Sequence, residues 1–306
     1  MQRYIATRIL YAFVSLILLS ITIFYLARIT GDPAILMAEP GAKEEDLQMI
    51  RREFGLDKPM VVQYYVFIKN MLRGDFGKSI YYRVPAFELY LQRLPASLLL
   101  ALVAMAISLV LGIPVGILSA VRVNSWYDSF GKIFALLGLS LPSFWVGLVL
   151  ILVFSVSLGW LPSSGAESWR HILMPAFALG WVFAAAHMRL ARSAMLEVLG
   201  SEYVKLARIK GLSEQLVIVK HAFKNAIIPV LTLAGLNFGQ MVNVAVVVES
   251  IFAWPGVGRL LYEGVSFRDF PVVQTNVLLG GIMVVGLSLV VDILYAYIDP
   301  RIRYDN

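Results

Sequence analysis

Six long stretches without a charged residue divide this chain of 306 residues. They are Ile9 to Ala27, Pro95 to Val121, Ile133 to Ala166, Ile172 to Met188, Ala226 to Val248 and Pro271 to Val291. Since a helix needs about 17–25 apolar residues to cross a bilayer, each stretch can span a membrane once. Turn-forming residues between Gly159 and Gly165 should end the third helix near Leu158. The pattern predicts an all-α membrane protein with six transmembrane helices.

Composition agrees with this class of protein. Hydrophobic residues make up 59% of the chain and charged residues 15%, whereas soluble domains average about 45–50% and about 25%. The chain has no cysteine, which excludes disulfides, thiolate metal ligands and thiol nucleophiles.

Signatures of catalysis and of metal binding are missing from the sequence. The histidines, His171, His187 and His221, lack the spacing of metal ligands. Gly77-Lys78-Ser79 resembles the end of a phosphate-binding loop, but Leu72 stands where that motif needs its first glycine. We therefore expect no catalytic residue, no metal site and no cofactor in this chain.

The positions of lysine and arginine predict the orientation. With the N-terminus inside, thirteen of them fall in cytoplasmic pieces and three in the short outside loops. Short cytoplasmic loops retain such cations, so both termini are predicted to be cytoplasmic. The net charge of +6 then reflects topology rather than nucleic-acid binding. The first stretch is interpreted as a retained anchor, because it exceeds a signal-peptide core and lacks a clean cleavage site.

Three parts follow from this topology: an N-terminal anchor helix (1–29), an extracytoplasmic segment (30–94) and a five-helix core (95–306) with a cytoplasmic loop at 189–225. Within the segment, Lys43 to Phe54 suits an exposed helix, and Val61 to Leu72 suits a helix on the membrane surface. A cap over the outer helix ends is the simpler interpretation of the segment, and a ligand site is the alternative.

The cytoplasmic stretch from Ser201 to Asn225 has the pattern of two helices separated by a glycine. Arg208 and Lys210 stand just before Gly211, where cations oppose the helix dipole and glycine can take the left-handed cap conformation. A structured basic loop of this kind predicts a docking site for a partner.

Polar and acidic residues also occur in or beside the apolar stretches. Asn237, Gln240 and Asn243 follow at three-residue steps, which keeps them on one side of a helix. They are candidates for a conduit, with hydrogen bonding between helices as an equal alternative. Glu249 and Asp292 lie near span ends, where anchoring is a simpler interpretation than a proton relay.

Motifs along nearly the whole chain resemble those of dipeptide, oligopeptide and nickel-type ABC importer permeases. They are Gly31–Ala34, Phe54–Pro59, Gly74–Gly77, Arg93–Ser97, the loop at 201–225, Val248–Arg259, Arg268–Pro271 and Asp299–Arg303. In the wider superfamily the loop carries Glu-Ala-Ala, three further residues and a glycine. Lys205, Leu206, Ala207 and Gly211 occupy those four positions here, and the missing glutamate is usual for this branch.

The resemblance implies a half-channel in a bacterial or archaeal plasma membrane, the inner membrane if the cell is Gram-negative. The implied partners are a homologous second permease, two ATP-binding subunits that hold ATP and Mg, an extracytoplasmic solute-binding protein and membrane lipid, with no nucleic acid. Residues implied in ATPase coupling are Glu202, Tyr203, Lys205, Ala207, Arg208, Gly211 and His221. Residues predicted to dock the binding protein are Glu249, Trp254, Pro255, Gly256 and Gly258, with a membrane-interface anchor as the alternative for Trp254.

Two questions stay open at this point. A secondary transporter or channel without ATPase partners is the rival class, although the inverted repeats and midplane charges common in such transporters are not evident in the sequence. A peptide-like solute leads as the substrate, and glutathione, a nickel chelate or an opine-like compound are alternatives.

Overall fold

The computed structural model describes residues 2–29, 34–35, 38, 43–53 and 55–298, and α-helices dominate them. In chain order the helices are α1 (Gln2–Ile29), α2 (Glu44–Glu53), α3 (Met60–Met71), α4 (Ala86–Val121), α5 (Trp126–Ser140), α6 (Ser143–Leu150), α7 (Leu173–Leu199), α8 (Glu202–Ile209), α9 (Phe223–Ile251), α10 (Val257–Ser266) and α11 (Phe270–Ile298). A π-helical turn, Ile151–Ser157, extends α6, and a 3-10 turn, Trp169–Ile172, precedes α7. The side chain of Asp292 and the motif Asp299–Arg303 lie outside the described residues, as do Gly31 to Pro33 and Phe54.

Five helices within the described residues are long and apolar enough to cross a membrane. They are Thr7–Ile29, Ala86–Val121, Trp169–Leu199, Glu214–Ile251 and Phe270–Leu289. A bent pair, Trp126–Ser140 with Ser143–Ser157, adds a sixth candidate if it counts as one span. The fold class, an all-α membrane protein, is confirmed. The bent pair ends at Ser157, one residue before Leu158, where the third helix was predicted to end. The orientation of the chain stays a prediction.

The third span differs from the continuous helix that the sequence predicts, because its two halves meet at 102°. Leu141 takes an extended conformation, with φ −89° and ψ 118°, as is usual before a proline. Pro142 directly precedes α6, where its missing N–H breaks no helical hydrogen bond. The predicted third helix is therefore corrected to two.

Residues Ser97–Trp254 form one compact unit. Helix α7 is central in it and packs against α5, α6 and α9. Glycines bring α4 close to α7: a Cβ at Gly112 would lie 2.6 Å from the carbonyl oxygen of Ala184, and one at Gly116 would lie 2.5 Å from that of Met188. These two glycines therefore allow the backbones of α4 and α7 to approach closely within this chain.

The second compact unit consists of Met1–Ala96 with Pro255–Asn306. In it α1 and α10 pack against α11, and a small core contains Ala86, Leu89, Leu260 and Val272. Helix α4 begins at Ala86, well before the uncharged stretch that starts at Pro95. The predicted boundary at 94/95 therefore falls inside a helix, because the charges of its first turns mark where the membrane ends rather than where the helix does.

Candidate functional site

The first part of the loop at 189–225 continues α7, which ends at Leu199, and helix α8, Glu202–Ile209, follows it. Lys205 Nζ lies 2.8 Å from Glu202 Oε1, and an acidic residue in the first turn is favourable beside the helix dipole. Val204 and Ala207 are buried and pack with Val217 on the far side of the glycine. This contact holds α8 against the base of the next helix.

Gly211 ends α8 in the conformation that the sequence predicts. Its φ is +78°, its N–H donates to the carbonyl of Arg208 at 2.9 Å, and the N–H of Leu212 donates to that of Ala207 at 3.4 Å. These two bonds form a Schellman motif. Space around the missing Cβ is open, so backbone strain rather than crowding would oppose a larger residue.

An ion pair spans this glycine. Arg208 donates from Nη2 to Glu214 Oε1 at 2.7 Å and from Nε to Oε2 at 3.0 Å. The hydrogen bonds that Arg208 donates to Glu214 raise the pKa of the Arg208 guanidinium above its ordinary value. Two parallel bonds restrict geometry more than a single contact does, so the pair fixes the angle between the two helices.

Helical structure resumes at Glu214 and runs to Ile251, through the turn Glu214–Leu216, a π-helical turn at Val217–Ala222 and α9. Asn225 Nδ2 donates to Tyr203 Oη at 2.7 Å and lies 3.4 Å from the carbonyl oxygen of His221. The second helix of the loop is therefore continuous with the fifth predicted span, and Tyr203 connects α8 to it.

Most of the predicted coupling residues lie on the surface of the loop. Glu202, Tyr203, Lys205, Arg208 and Gly211 are exposed, His221 is half-buried and Ala207 is buried. The sequence interpretation did not single out Leu206 and Ile209, which are 51% and 81% exposed. Their signal was two bulky apolar residues on a short helix that also carries Glu202, Lys205 and Arg208, and exposed apolar groups of this kind are typical of protein contacts.

A buried polar cluster near the end of α7 was also missed. Asp128 is fully buried and accepts hydrogen bonds from Ser119 Oγ at 2.6 Å and Arg192 Nε at 2.9 Å. Lys132 Nζ lies 2.9 Å from its other oxygen, and the N–H of Asn124 donates to that oxygen at 3.1 Å. The cluster joins α4, α5 and α7 close to the loop.

The structure separates the three polar residues predicted to line a conduit. Asn237 is buried and its Nδ2 lies 3.3 Å from His187 Nε2, while His187 Nδ1 lies 3.1 Å from Ser108 Oγ. Gln240 and Asn243 are exposed. Asn237 therefore connects helices in this chain, and the other two offer polar surface on α9.

The residues predicted to dock a binding protein are mostly interior. Glu249 is fully buried and accepts a hydrogen bond from Ser97 Oγ at 2.6 Å, and Trp254 is 4% exposed. Gly256 and Gly258 are buried, and Pro255 is half-buried. Because a docking contact needs exposed area, this burial disagrees with a surface formed by these side chains, and it also leaves the Trp254 ring unable to anchor in lipid.

Comparison with known proteins shows the family of the chain. Residues 112–304 match the family described as binding-protein-dependent transport system inner membrane component, and residues 1–101 match the N-terminal family of such membrane components. Over 305 residues the chain is 41% identical to the glutathione transport system permease protein GsiC of Salmonella typhimurium and to that of Escherichia coli, covering 99% of this chain and 100% of each relative.

A solved structure shares the fold. An amino acid ABC transporter crystallised with histidines matches with a TM-score of 0.54 at 16% identity, covering 68% of this chain and 92% of that chain. The two family matches together extend over nearly the full length of the chain. This chain therefore belongs to the binding-protein-dependent inner-membrane components, as a multi-pass permease subunit of an ABC importer of the peptide and nickel type.

Proposed function

We propose that this chain forms half of a translocation path, paired with a second, homologous permease, and that two ATP-binding subunits drive it through the loop at 189–225. The observation that carries the proposal is the joint at Gly211, where a capped helix is fixed to a helical run that reaches Ile251. A partner that moves α8 would move the base of α9 with it, because the Arg208–Glu214 pair and the Val204–Val217 contact restrict the joint.

Nucleotide binding in the partners would then bias the permease between inward-open and outward-open states. Such a bias needs a contact that differs between the states, and rigid levers are a common way to transmit it. Glu202, Tyr203 and Lys205, with the apolar Leu206 and Ile209, supply the exposed contact surface on α8. ATP and Mg would be held by the partners, and this chain would carry no cofactor and catalyse no reaction.

The proposed substrate is a peptide-like solute that a binding protein delivers. The two relatives reported above are named glutathione permeases, and glutathione is itself a tripeptide, so it belongs to the proposed class. Gln240 and Asn243 offer amide groups on α9 that suit peptide bonds as donors and acceptors. A nickel chelate or an opine-like compound is the alternative.

The experiment is transport by the reconstituted complex of both permeases, the ATP-binding subunits and the binding protein in proteoliposomes. Uptake of labelled glutathione, a dipeptide, a nickel chelate and an opine should show ATP-dependent import of a peptide-like solute. Uptake of the nickel chelate or the opine alone would overturn the substrate class. Uptake by the permeases without the ATP-binding subunits would favour a secondary transporter.

Gly211 provides the test of coupling in the same assay. Gly211→Val places a β-branched residue at φ +78°, a strain of roughly 1–2 kcal/mol, and we expect transport and stimulated ATP hydrolysis to fall about tenfold or more. Gly211→Asn is the matched control, since asparagine tolerates the left-handed conformation. Wild-type rates for Gly211→Val would contradict the proposal that α8 transmits the motion of the ATP-binding subunits to α9.

A further inference from the structure

A large cavity lies among helices α1, α2 and α3, the segment from Gly74 to Arg83 and the start of α11. Its volume is about 1060 Å³. Five cations line it, together with one acidic residue, Asp75; the cations are Arg28, Arg52, Lys58, Lys78 and Arg83. Among the described ion pairs of the chain, none involves any of these five cations. The cavity therefore carries a net positive charge with no described carboxylate paired to it.

Arg28 is held in place at one side of the cavity. Its Nε donates to Gln63 Oε1 at 2.9 Å, its Nη1 lies 3.3 Å from the carbonyl oxygen of Phe24, and its guanidinium lies over the Phe24 ring at 3.4 Å. Gln63 Nε2 in turn donates to the carbonyls of Leu56 and Lys58. These bonds use part of the guanidinium and leave further N–H groups for an acceptor.

Another part of the lining is a turn that carries Lys78 and Arg83. Ser79 Oγ and the N–H of Tyr81 both donate to Asp269, which is buried. Arg83 holds a left-handed conformation, with φ +59°, which costs a residue other than glycine roughly 1–3 kcal/mol and persists only where the surroundings enforce it. The two cations are thus presented by a turn of fixed shape.

The cavity lies where membrane-spanning helices end. Arg28 is in the last turn of α1, and Gln274 is in the first turns of α11, which begins at Phe270. Helix α3 borders it, buries none of its residues and exposes apolar side chains, with Val61 at 73% and Tyr65 at 66%. A helix with this composition suits the headgroup layer.

From this placement we infer that the cavity binds the phosphodiester headgroup of an anionic phospholipid. Basic pockets at the ends of transmembrane helices are suited to lipid phosphates, and guanidinium groups bind phosphate oxygens in pairs. A transported solute is a weaker explanation, because none of the lining residues belongs to α9, the helix of the proposed conduit.

The test measures which lipid stays with the purified chain. The protein is delipidated in detergent, incubated with mixed micelles of phosphatidylglycerol and phosphatidylcholine, and its retained lipid is quantified by mass spectrometry. We expect strong enrichment of phosphatidylglycerol. Since each cation near an anionic headgroup strengthens binding about fivefold, Lys78→Gln with Arg83→Gln should lower that enrichment about tenfold or more.

The matched control is Lys69→Gln with Arg73→Gln, which removes two exposed cations from the same segment without touching the cavity lining. It should retain wild-type enrichment. A second cavity variant, Arg52→Gln with Lys58→Gln, guards against misfolding of the first and should show the same loss. Equal enrichment in control and cavity variants would overturn the inference. So would displacement of the lipid by millimolar inorganic phosphate or glutathione, because the site would then be one for free anions.

Discussion

Three polar side chains lie on one side of α9 according to their spacing, but they differ in burial. Asn237 is buried beside His187, whereas Gln240 and Asn243 are exposed. Three-residue steps on a helix fix the relative directions of these side chains to within about 120°. Which part of that arc faces a neighbouring helix depends on how α9 is rotated against α7. The sequence therefore predicted that the three side chains lie on one side of α9. It could not predict which of them contact a neighbouring helix and which lie on the surface.

Thiol labelling can measure this division, because the chain has no cysteine of its own. We expect Gln240→Cys and Asn243→Cys in the assembled complex to react with a charged thiol reagent about tenfold or more faster than Asn237→Cys, since reaction requires an accessible thiolate. Rates at positions 240 and 243 should change with nucleotide if they face the path. Slow reaction at all three positions in every nucleotide state would show that all three side chains lie in contacts between helices.

An exposed ion pair spans the joint at Gly211, beside the buried contact of Val204 with Val217. Arg208 and Glu214 are partly exposed, at 40% and 55%, and exposed pairs contribute only about 0–1 kcal/mol to stability. Their geometry nevertheless fixes the joint between α8 and the run that starts at Glu214. A change there should therefore alter coupling far more than it alters folding.

We predict that Arg208→Ala or Glu214→Ala leaves the thermal unfolding temperature of the complex within a few degrees but lowers the solute transported per ATP hydrolysed severalfold. The double variant Arg208→Glu with Glu214→Arg should recover part of that ratio. Arg51→Ala is a matched control, because it removes another exposed pair, with Glu44, at the same 2.7 Å distance. A wild-type ratio in both single variants would show that the joint is stiff without the pair.

For the complete chain, the distribution of cations predicts a single orientation. Thirteen lysines and arginines fall in pieces on the side of the coupling loop, against three in the short loops opposite. Because such cations are retained in the cytoplasm, the loop at 189–225 should face the nucleotide and the turn after α6 should face outward.

Labelling of intact cells with an impermeant thiol reagent tests this orientation. Ser164→Cys, an exposed position in the turn after α6, should react in intact cells, and Lys210→Cys should react only after the membrane is opened. The reversed pattern would invert the topology and would place the proposed ATPase contact on the wrong side.

The fold could be predicted largely from the six uncharged stretches, because segments that cross a bilayer contain few charged residues. Pro142 could have predicted the break at Leu141. The break was overlooked because the uncharged stretch continues through it. The start of α4 at Ala86 could not be predicted in this way, because the helix extends beyond the apolar stretch that begins at Pro95. The Asp128 cluster depends on a pairing between Ser119 and Arg192, which lie 73 positions apart, and such distant pairings leave no local pattern. The Gly211 cap was predictable because it is local.

The helical run from Glu214 to Ile251, which includes a π-helical turn and Pro229, has a consequence for the mechanics of transport. Its 38 residues extend about 57 Å, whereas a bilayer with its headgroup layers is about 40–45 Å thick. More than about 10 Å of helix must then project beyond the lipid or tilt within it. Gln240 lies about 39 Å along this helix from Glu214, so a tilt of about 10° around the Glu214 end would displace Gln240 sideways by about 7 Å. That shift exceeds the rise of one helical turn, and a partner working wholly in water could therefore widen or close a gap deep in the membrane.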